Sequence, residues 1–178
     1  LVPTPNIDAI AHQGATLTQF YTTASVCSPS RAGFITGRYQ QRFGHHSNLG
    51  GESSRAGLGL PTSERTIADH LKARGYRTGI LGKWHLGRTE ELLPTSRGFD
   101  HFEGLPGGSR TYFAIVQEEG GIDKVRTMRR EQRHADGAVS STILDEQALD
   151  AKSRASGGEG FYVTDWIGDR AADYIESH

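Results

Sequence analysis

The sequence predicts an α/β fold, with helices packed on a sheet. A helical stripe of Ile67, Ala68 and Leu71 is ended by Gly75, and a stretch over 76–81 that is predicted to form a short buried strand follows it directly. Helix, tight glycine turn and strand in this order are typical of α/β proteins. With 178 residues, the chain is long enough for roughly one domain with a buried core, and its 23 glycines indicate many loops and tight turns.

Two further helices are predicted in the first part of the chain. Ser or Thr followed by Pro is a helix-start signal, and it occurs at Thr4-Pro5 and again at Ser28-Pro29. Gly14 and Gly37 are placed to end these two helices. The Thr-rich stretch over 17–21, which lies between them, has strand character.

The rest of the chain is predicted to alternate loops with short elements. We expect a long loop over 40–60, a helix over 64–74, loops over 88–110, a strand or hairpin over 111–127, a loop-rich excursion over 128–160 with a short helix near 144–149, a strand over 161–163, and a last helix from Thr164 or Asp165. The sequence contains no internal repeat.

Composition excludes several functional classes. The formal net charge is −1, so no global field recruits nucleic acid or a membrane surface. No apolar stretch approaches the ~18 residues that a membrane span needs. No signal peptide is visible, but the chain opens without Met and reads as entered mid-stream. A single cysteine, Cys27, excludes a disulfide within the chain.

Cys27 is predicted to lie just before the N-cap of the second helix. Backbone N–H groups are unpaired at a helix start and the dipole is positive there, so such a position binds anions. Arg31 follows one turn later, and its guanidinium suits a tetrahedral oxyanion. The alternative interpretation is an inert cysteine beside a surface arginine.

A second cluster, Gly-Lys-Trp-His-Leu-Gly over 82–87, directly follows the predicted strand. Open α/β sheets place ligand sites at the carboxyl ends of their strands. If strand geometry persists, Lys83 and His85 face one side and Trp84 the other. One side then offers a cation and a proton-transfer group. The alternative is a solvent-facing Lys and His after a strand.

Two long segments resemble the signatures of the sulfatase family. Residues 27–38 are similar to the Cys-x-Pro-x-Arg signature with its Thr-Gly-Arg close, and residues 75–87 are similar to the family's second signature. Weaker resemblances cover 5–8, 98–104 and 162–165. The resemblance implies an alkaline-phosphatase-like sandwich, with a mostly parallel central sheet flanked by helices. Residues 1–178 are then part of a single catalytic domain, truncated at both ends.

The same resemblance implies a sulfuric ester hydrolase whose nucleophile is made after synthesis. Cys27 would be oxidised to formylglycine, whose hydrate attacks sulfur and later expels sulfate. By position, Arg31 would hold the hydrate, Lys83 would bind sulfate oxygens and the formylglycine, and His85 would hydrogen-bond the hydroxyl that drives sulfate release. Ser109 would correspond to a sulfate-side serine found in some members.

The family also implies a calcium ion, but the carboxylates that bind it do not match any position here. Calcium takes ~6–8 oxygen ligands, and Cys27, as formylglycine, is the one metal ligand we assign to this chain. We therefore expect the remaining ligands to lie outside it and the isolated chain to be inactive. The implied partners are a sulfate-ester small molecule or a sulfated glycan, and the enzyme that generates formylglycine.

Two other functions remain open at this point. A phosphonate monoester or phosphodiester hydrolase could use the same formylglycine motif on phosphorus, and a catalytically inactive binding protein could share the fold. Family resemblance implies a secreted, periplasmic or lysosomal location. His45 and His46 lack a nearby Cys or acid at ligand spacing, so we expect both to be solvent-exposed. The arginines of 129–133 are expected to form a solvated surface.

Overall fold

The computed structural model describes residues 2–50, 57–114, 128–155 and 157–178. Within them lie five α-helices: α1 Pro5–Gln13, α2 Cys27–Thr36, α3 Ile67–Lys72, α4 Glu146–Ala155 and α5 Val163–Glu176. The strands are β1 Gly79–Lys83, β2 His101–Leu105, β3 Arg129–Arg133 and β4 Val139–Ile143. Three short 3-10 helices lie at Gln40–Phe43, Glu90–Leu92 and Pro94–Arg97.

The four strands form one sheet in the order β1-β2-β3-β4. β1 and β2 are parallel, with Gly82 opposite Gly104 and Lys83 opposite Leu105. The other two pairings are antiparallel. The α/β prediction is confirmed, and in the described part of the chain parallel pairing is limited to β1 and β2, the strands that lead into the predicted site.

Helices lie on both faces of the parallel strand pair. Gly79 packs against α5, since a Cβ there would lie 2.6 Å from the Tyr174 ring. Ile80, the next residue, packs against a core cluster that includes Ala32 and Ile35 of α2. Because successive strand residues point to opposite faces, α5 and α2 must cover opposite sides of the sheet.

Trp84 is the largest fully buried side chain of this core cluster. It is 1% exposed, packs edge-on against Phe99, and donates its indole N–H to the carbonyl oxygen of Leu92 at 2.8 Å. Aromatic burial of this size is a large stabilising contribution, and the indole donor is matched. Trp84 directly follows Lys83, so the burial of Trp84 fixes the position of Lys83 at the end of β1.

We expect Trp84→Phe to lower the free energy of unfolding by about 2–4 kcal/mol, because it leaves a cavity and an unpaired buried carbonyl. The measurement is urea denaturation of the full-length protein. Phe34→Leu is the control, since Phe34 is 73% exposed. An equal change in both variants would contradict the central role of Trp84.

Several predicted boundaries differ from the structure. Residues 17–21 form no strand; they lie in an irregular segment with Phe20 and Tyr21 exposed. β1 begins at Gly79, not at residue 76, because Thr78 is held at the strand entrance by hydrogen bonds to Asp100 and Gly98. α3 begins at Ile67, since Thr66 and Asp69 form a capping box.

The loop-rich excursion expected over 128–160 is wrong as a description of structure. Within it, β3 and β4 form an antiparallel hairpin that extends the sheet, and α4 covers ten residues where a shorter helix was expected. The loops expected over 88–110 contain β2. The hairpin predicted over 111–127 lies mostly outside the described residues, and the strand over 161–163 is reduced to a single bridge between Phe113 and Tyr162.

None of the helices in the described residues has the length and apolar character needed to cross a membrane.

Candidate functional site

Helix α2 begins at Cys27 itself. Its N-cap is Val26, whose extended backbone precedes the first helical residue. The prediction that Cys27 lies before the N-cap is therefore wrong by about half a turn, because the helix starts upstream of the Ser-Pro signal. Cys27 is exposed while Ser28 is completely buried, so the helix presents the thiol and anchors itself through the next residue.

The first turn of α2 has fewer unpaired backbone N–H groups than the sequence predicts. Asn48 accepts the Ser28 backbone N–H through its side-chain oxygen at 2.8 Å. Pro29 has no N–H, and the N–H of Ser30 reaches back to the carbonyl oxygen of Val26. An anion at this helix start must therefore rely mainly on side-chain cations.

Lys83 supplies such a cation. Its ammonium donates a hydrogen bond to the Cys27 thiol, and this contact is the main reason why the pKa of Cys27 lies below its ordinary value. The positive charges of Lys83 and Arg31 lower the pKa of Cys27 further. The last residue of β1 and the first residue of α2 thus lie close together.

Arg31 joins the same two elements through their backbone. Its Nε donates to the carbonyl oxygen of Trp84 at 2.7 Å, and its Nη2 donates to that of Lys83. The side chain is half-buried, and burial lowers the pKa of Arg31 while the Cys27 charge opposes this. Because its guanidinium donates to two backbone carbonyls, Arg31 fixes the end of β1 against α2. The same bonds keep the positive charge of Arg31 beside Cys27.

His85 leaves the strand conformation. Its φ is 60°, the left-handed region, so the alternation expected to place Lys83 and His85 on one face ends at Trp84. His85 is 5% exposed, and burial lowers its pKa below the ordinary value. The nearby charges of Lys83 and Arg31 act in the same direction. The imidazole is therefore neutral at neutral pH, as a proton acceptor must be.

The two ring nitrogens of His85 have different surroundings. Nε2 lies 3.0 Å from the carbonyl oxygen of Leu49. Nδ1 is buried and has no hydrogen-bond partner among the described residues. Gly108 is closely packed against the Nε2 edge, since a Cβ on it would lie 2.6 Å from Nε2. The Nε2 edge of the ring is therefore held by Leu49 and Gly108, whereas Nδ1 has no hydrogen-bond partner among the described residues.

Ser109, the predicted sulfate-side serine, is exposed and follows Gly108 along the chain. Its neighbour Arg110 makes a buried, two-pronged ion pair with Glu146 of α4, at 2.6 and 2.7 Å. Glu146 also accepts the backbone N–H of Met128. This pair fixes the chain immediately after Ser109, and the substrate-binding role of Ser109 stays a prediction.

The two adjacent histidines behave differently. His46 is exposed, as predicted, but the same prediction is wrong for His45, which is 6% exposed. Its Nε2 lies 2.7 Å from Ser28 Oγ, and its Nδ1 lies 3.2 Å from the carbonyl oxygen of Gly59. Burial lowers the pKa of His45.

The arginines of β3 are paired locally. Arg130 pairs with Glu103, Arg129 with Glu131, and Arg133 donates to the carbonyl oxygens of Thr95 and Gly137. Within the described residues, no group of three or more His, Cys, Asp or Glu side chains is arranged to hold a metal ion.

The sequence interpretation missed Ser28, His45, Asn48 and Leu49, which build the wall behind Cys27 and His85. Each acts through a backbone group or a neutral hydrogen bond, and such roles carry no motif of charge or spacing. The sequence feature closest to these residues was the Ser28-Pro29 helix start, and it predicted that Ser28 caps the helix. Together, the cations, the exposed Cys27 and the neutral His85 can bind a tetrahedral anion, attack it and move a proton.

The chain is similar to known proteins in sequence and in fold. The family model described as Sulfatase matches residues 1–166. The chain is similar to Arylsulfatase H of Canis lupus familiaris, with 48% identity over 60% of this chain and 21% of that protein. It is also similar to human Arylsulfatase A, with 48% identity over 58% of this chain and 20% of that protein. The chain thus spans about a fifth of the length of these curated relatives.

Solved structures extend the similarity over nearly the whole chain. The crystal structure of Ps i-CgsB matches 98% of this chain and 36% of its own, with a TM-score of 0.72 and 26% identity. The same protein in complex with k-i-k-neocarrahexaose matches 98% of this chain and 36% of its own, with a TM-score of 0.67 and 28% identity.

Proposed function

Because the chain belongs to the sulfatase family, whose model matches residues 1–166, we propose that the full-length protein hydrolyses sulfate monoesters through a formylglycine made from Cys27. The observation that carries this proposal is that Arg31 of α2 donates to the backbone carbonyls of Lys83 and Trp84, which brings the start of the Cys27 helix to Lys83 at the end of β1. It supports the proposal because a cation then lies beside the side chain that would be oxidised to the aldehyde, and Cys27 is exposed at the start of its helix.

In the first step, the hydrated aldehyde acts as a nucleophile. One hydroxyl oxygen of the gem-diol forms a bond to sulfur and gives up its proton. The bond from sulfur to the substrate's alcohol oxygen breaks in line with it, and that oxygen takes up a proton as the alcohol leaves. Lys83 binds the sulfate oxygens and the gem-diol, and offsets the charge that develops on them. Arg31 adds its charge at the same place and keeps α2 against the end of β1.

In the second step, the remaining hydroxyl of the gem-diol gives its proton to neutral His85. The carbonyl of the aldehyde reforms, the bond from its carbon to the sulfate oxygen breaks, and sulfate leaves. Water then hydrates the aldehyde for the next cycle. Burial of His85, which lowers its pKa, supports the acceptor role because it keeps the ring unprotonated at neutral pH.

Calcium is implied by the family, but the described residues do not make a site for it by themselves. They hold no cluster of three or more candidate ligands, whereas calcium requires ~6–8 oxygens. Formylglycine at position 27 is the one ligand that we assign to this chain, and no step above depends on the ion.

The proposal is tested by paired kinetics of the full-length protein. It should be produced with a formylglycine-generating enzyme and assayed on an aryl sulfate and on an aryl phosphodiester. We expect kcat/KM to be higher for the sulfate. A higher value for the phosphodiester would assign the protein to formylglycine-dependent phosphodiester or phosphonate hydrolysis instead. No turnover of either ester, with Cys27 modified, would favour an inactive binding protein.

A chain limited to residues 1–178 is expected to show no turnover of an aryl sulfate, even with added calcium. The reason is that calcium needs ~6–8 oxygen ligands, and the described residues hold no group of three or more candidate ligands. The measurement compares this chain with the full-length protein under identical conditions. Turnover within about ten-fold of the full-length rate would refute the expectation.

The proposed substrate is a sulfate-ester small molecule or a sulfated glycan. A glycan is supported by Ps i-CgsB, a neighbour in structure that was crystallised with k-i-k-neocarrahexaose. The proposed partner is the formylglycine-generating enzyme, which would oxidise Cys27. The proposed location is secreted, periplasmic or lysosomal, as family resemblance implies.

A further inference from the structure

The segment 44–50 covers the back of the site and is fastened by two hydrogen bonds, both to Ser28. His45 Nε2 lies 2.7 Å from Ser28 Oγ, and His45 Nδ1 lies 3.2 Å from the carbonyl oxygen of Gly59. Asn48 accepts the backbone N–H of Ser28 at 2.8 Å. Two side chains of one short segment thus hold the residue directly after Cys27.

Ser28 connects the segment to the backbone of His85. Its hydroxyl donates to the carbonyl oxygen of His85 at 2.7 Å. A hydroxyl has a single proton, so the short contact with His45 Nε2 requires that nitrogen to be the donor. In the neutral ring Nδ1 then carries no proton, so its approach to the Gly59 carbonyl oxygen is a packing contact and not a hydrogen bond. His45, Ser28 and the His85 backbone therefore form one directed chain of hydrogen bonds.

The segment also reaches the His85 ring. The carbonyl oxygen of Leu49 lies 3.0 Å from His85 Nε2. A carbonyl only accepts, so Nε2 must carry a proton, and in the neutral ring Nδ1 then has a free lone pair. That nitrogen is buried and has no partner in the described ranges. An unpaired buried acceptor costs about 1–3 kcal/mol, so it calls for a donor that arrives during function.

We propose that the segment 44–50 sets the tautomer of His85, with the Leu49 carbonyl holding Nε2–H so that Nδ1 is the atom that accepts a proton, and with His45 and Asn48 as its positioning residues. This inference rests on the proposed function, because it names the atom that takes the proton when sulfate is released. The positioning residues act through Ser28 and Leu49 and touch neither the nucleophile nor the substrate.

Loss of an anchor should affect the chemical step more than binding. If the segment moves, Nε2 loses its fixed acceptor and the Nδ1–H tautomer, which cannot accept at Nδ1, becomes populated. The cations Lys83 and Arg31 are held by β1 and α2, so affinity for the anion is kept. The expected signature is a lower kcat with little change in KM.

The adjacent histidine provides a matched control. In the full-length protein, His45→Ala and Asn48→Ala should each lower kcat by about 10- to 100-fold, the range typical of groups that orient a functional histidine, with KM within about two-fold. His46→Ala should leave both constants unchanged, since His46 is exposed. His45→Gln, whose amide N–H can replace Nε2–H toward Ser28, should recover part of the lost kcat.

The tautomer itself can be observed without turnover. Long-range 1H–15N correlation spectra of the full-length protein distinguish Nδ1–H from Nε2–H imidazoles, and His85→Ala identifies the signals of His85. We expect Nε2–H in the wild type and a mixture in His45→Ala and Asn48→Ala. An Nδ1–H ring in the wild type, or an unchanged Nε2–H ring with unchanged kcat in both variants, would overturn the inference.

Failure of the two proposals can be told apart. A wild type that is inactive on both ester classes but shows the expected tautomer, and its loss in the variants, contradicts the proposed function and leaves the positioning role standing. Asn48 is exposed, so Asn48→Ala is expected to fold if His45→Ala does not. A folded Asn48→Ala protein with wild-type kcat and tautomer then counts against the inference.

Discussion

Replacing Cys27 with Ala should abolish hydrolysis of sulfate esters by the full-length protein, lowering kcat by about 1,000-fold or more. Alanine carries neither a thiol to oxidise nor an oxygen to attack sulfur, so both steps lose their reacting atom. The remaining cations, Lys83 and Arg31, still bind an anion. Affinity for free sulfate should therefore persist while turnover disappears, which separates a nucleophile from a binding residue.

Cys27→Ser tests the mechanism more sharply than Cys27→Ala. In a host without the formylglycine-generating enzyme, a serine hydroxyl can attack sulfur once, but it has no second hydroxyl whose proton loss would expel sulfate. We expect at most one equivalent of alcohol and then no further product. Steady turnover by this variant would contradict the gem-diol mechanism.

The wild-type protein provides the control for both substitutions. Cys27 is the single cysteine of these 178 residues, so mass spectrometry of its peptide reports modification directly. Protein made with the maturing enzyme should show the aldehyde and be active, and protein made without it should show the thiol and be inactive. An unmodified thiol in active protein would exclude formylglycine as the nucleophile.

Gly104→Ala should lower the free energy of unfolding by more than about 3 kcal/mol, at the upper end of overpacking effects. Gly104 lies opposite Gly82 in the parallel strand pair. A Cβ at 104 would lie 2.7 Å from the carbonyl carbon of Gly82 and 2.8 Å from its nitrogen, and closer still to its oxygen. These are backbone atoms, which cannot rotate away, so β1 and β2 would have to separate.

The consequence would reach the site, because Lys83 follows Gly82 directly. Gly168→Ala is the matched control: Gly168 lies in α5, and a Cβ there would meet nothing within 4 Å. That substitution should stabilise the protein by about 0.5–1 kcal/mol. Denaturation midpoints of the two variants should therefore move in opposite directions. A Gly104→Ala protein as stable as the wild type would show that the strands can part without cost.

The predictions for the candidate site residues rest on local signals. Cys27 and Arg31 are one helical turn apart, and Lys83 and His85 follow a strand by a fixed spacing, so short segments place them. The α/β class was predictable for the same reason, since helix, Gly75 and strand are consecutive. The meeting of Cys27 with Lys83 followed from the resemblance, and the structure brings these two residues together.

What could not be predicted depends on long-range pairing. The strand β3 is rich in arginine and has no alternating apolar pattern; its place in the sheet depends on partners such as Glu103, which neutralises Arg130, and Thr95, whose hydroxyl donates to buried Glu131. Likewise, burial of His45 depends on Ser28 and Gly59, which lie 17 and 14 residues away along the chain. Neither partner is visible within a sequence window.

The left-handed backbone conformation of His85 affects which substitutions are expected at this position during evolution. A side chain at φ 60° is strained by about 1–2 kcal/mol relative to glycine, and its buried Nδ1 has no partner in the described part of the chain. Mutation and selection for folding alone would replace such a histidine by glycine or asparagine. A lineage that loses the need for the reaction should therefore lose His85 early and gain stability by doing so.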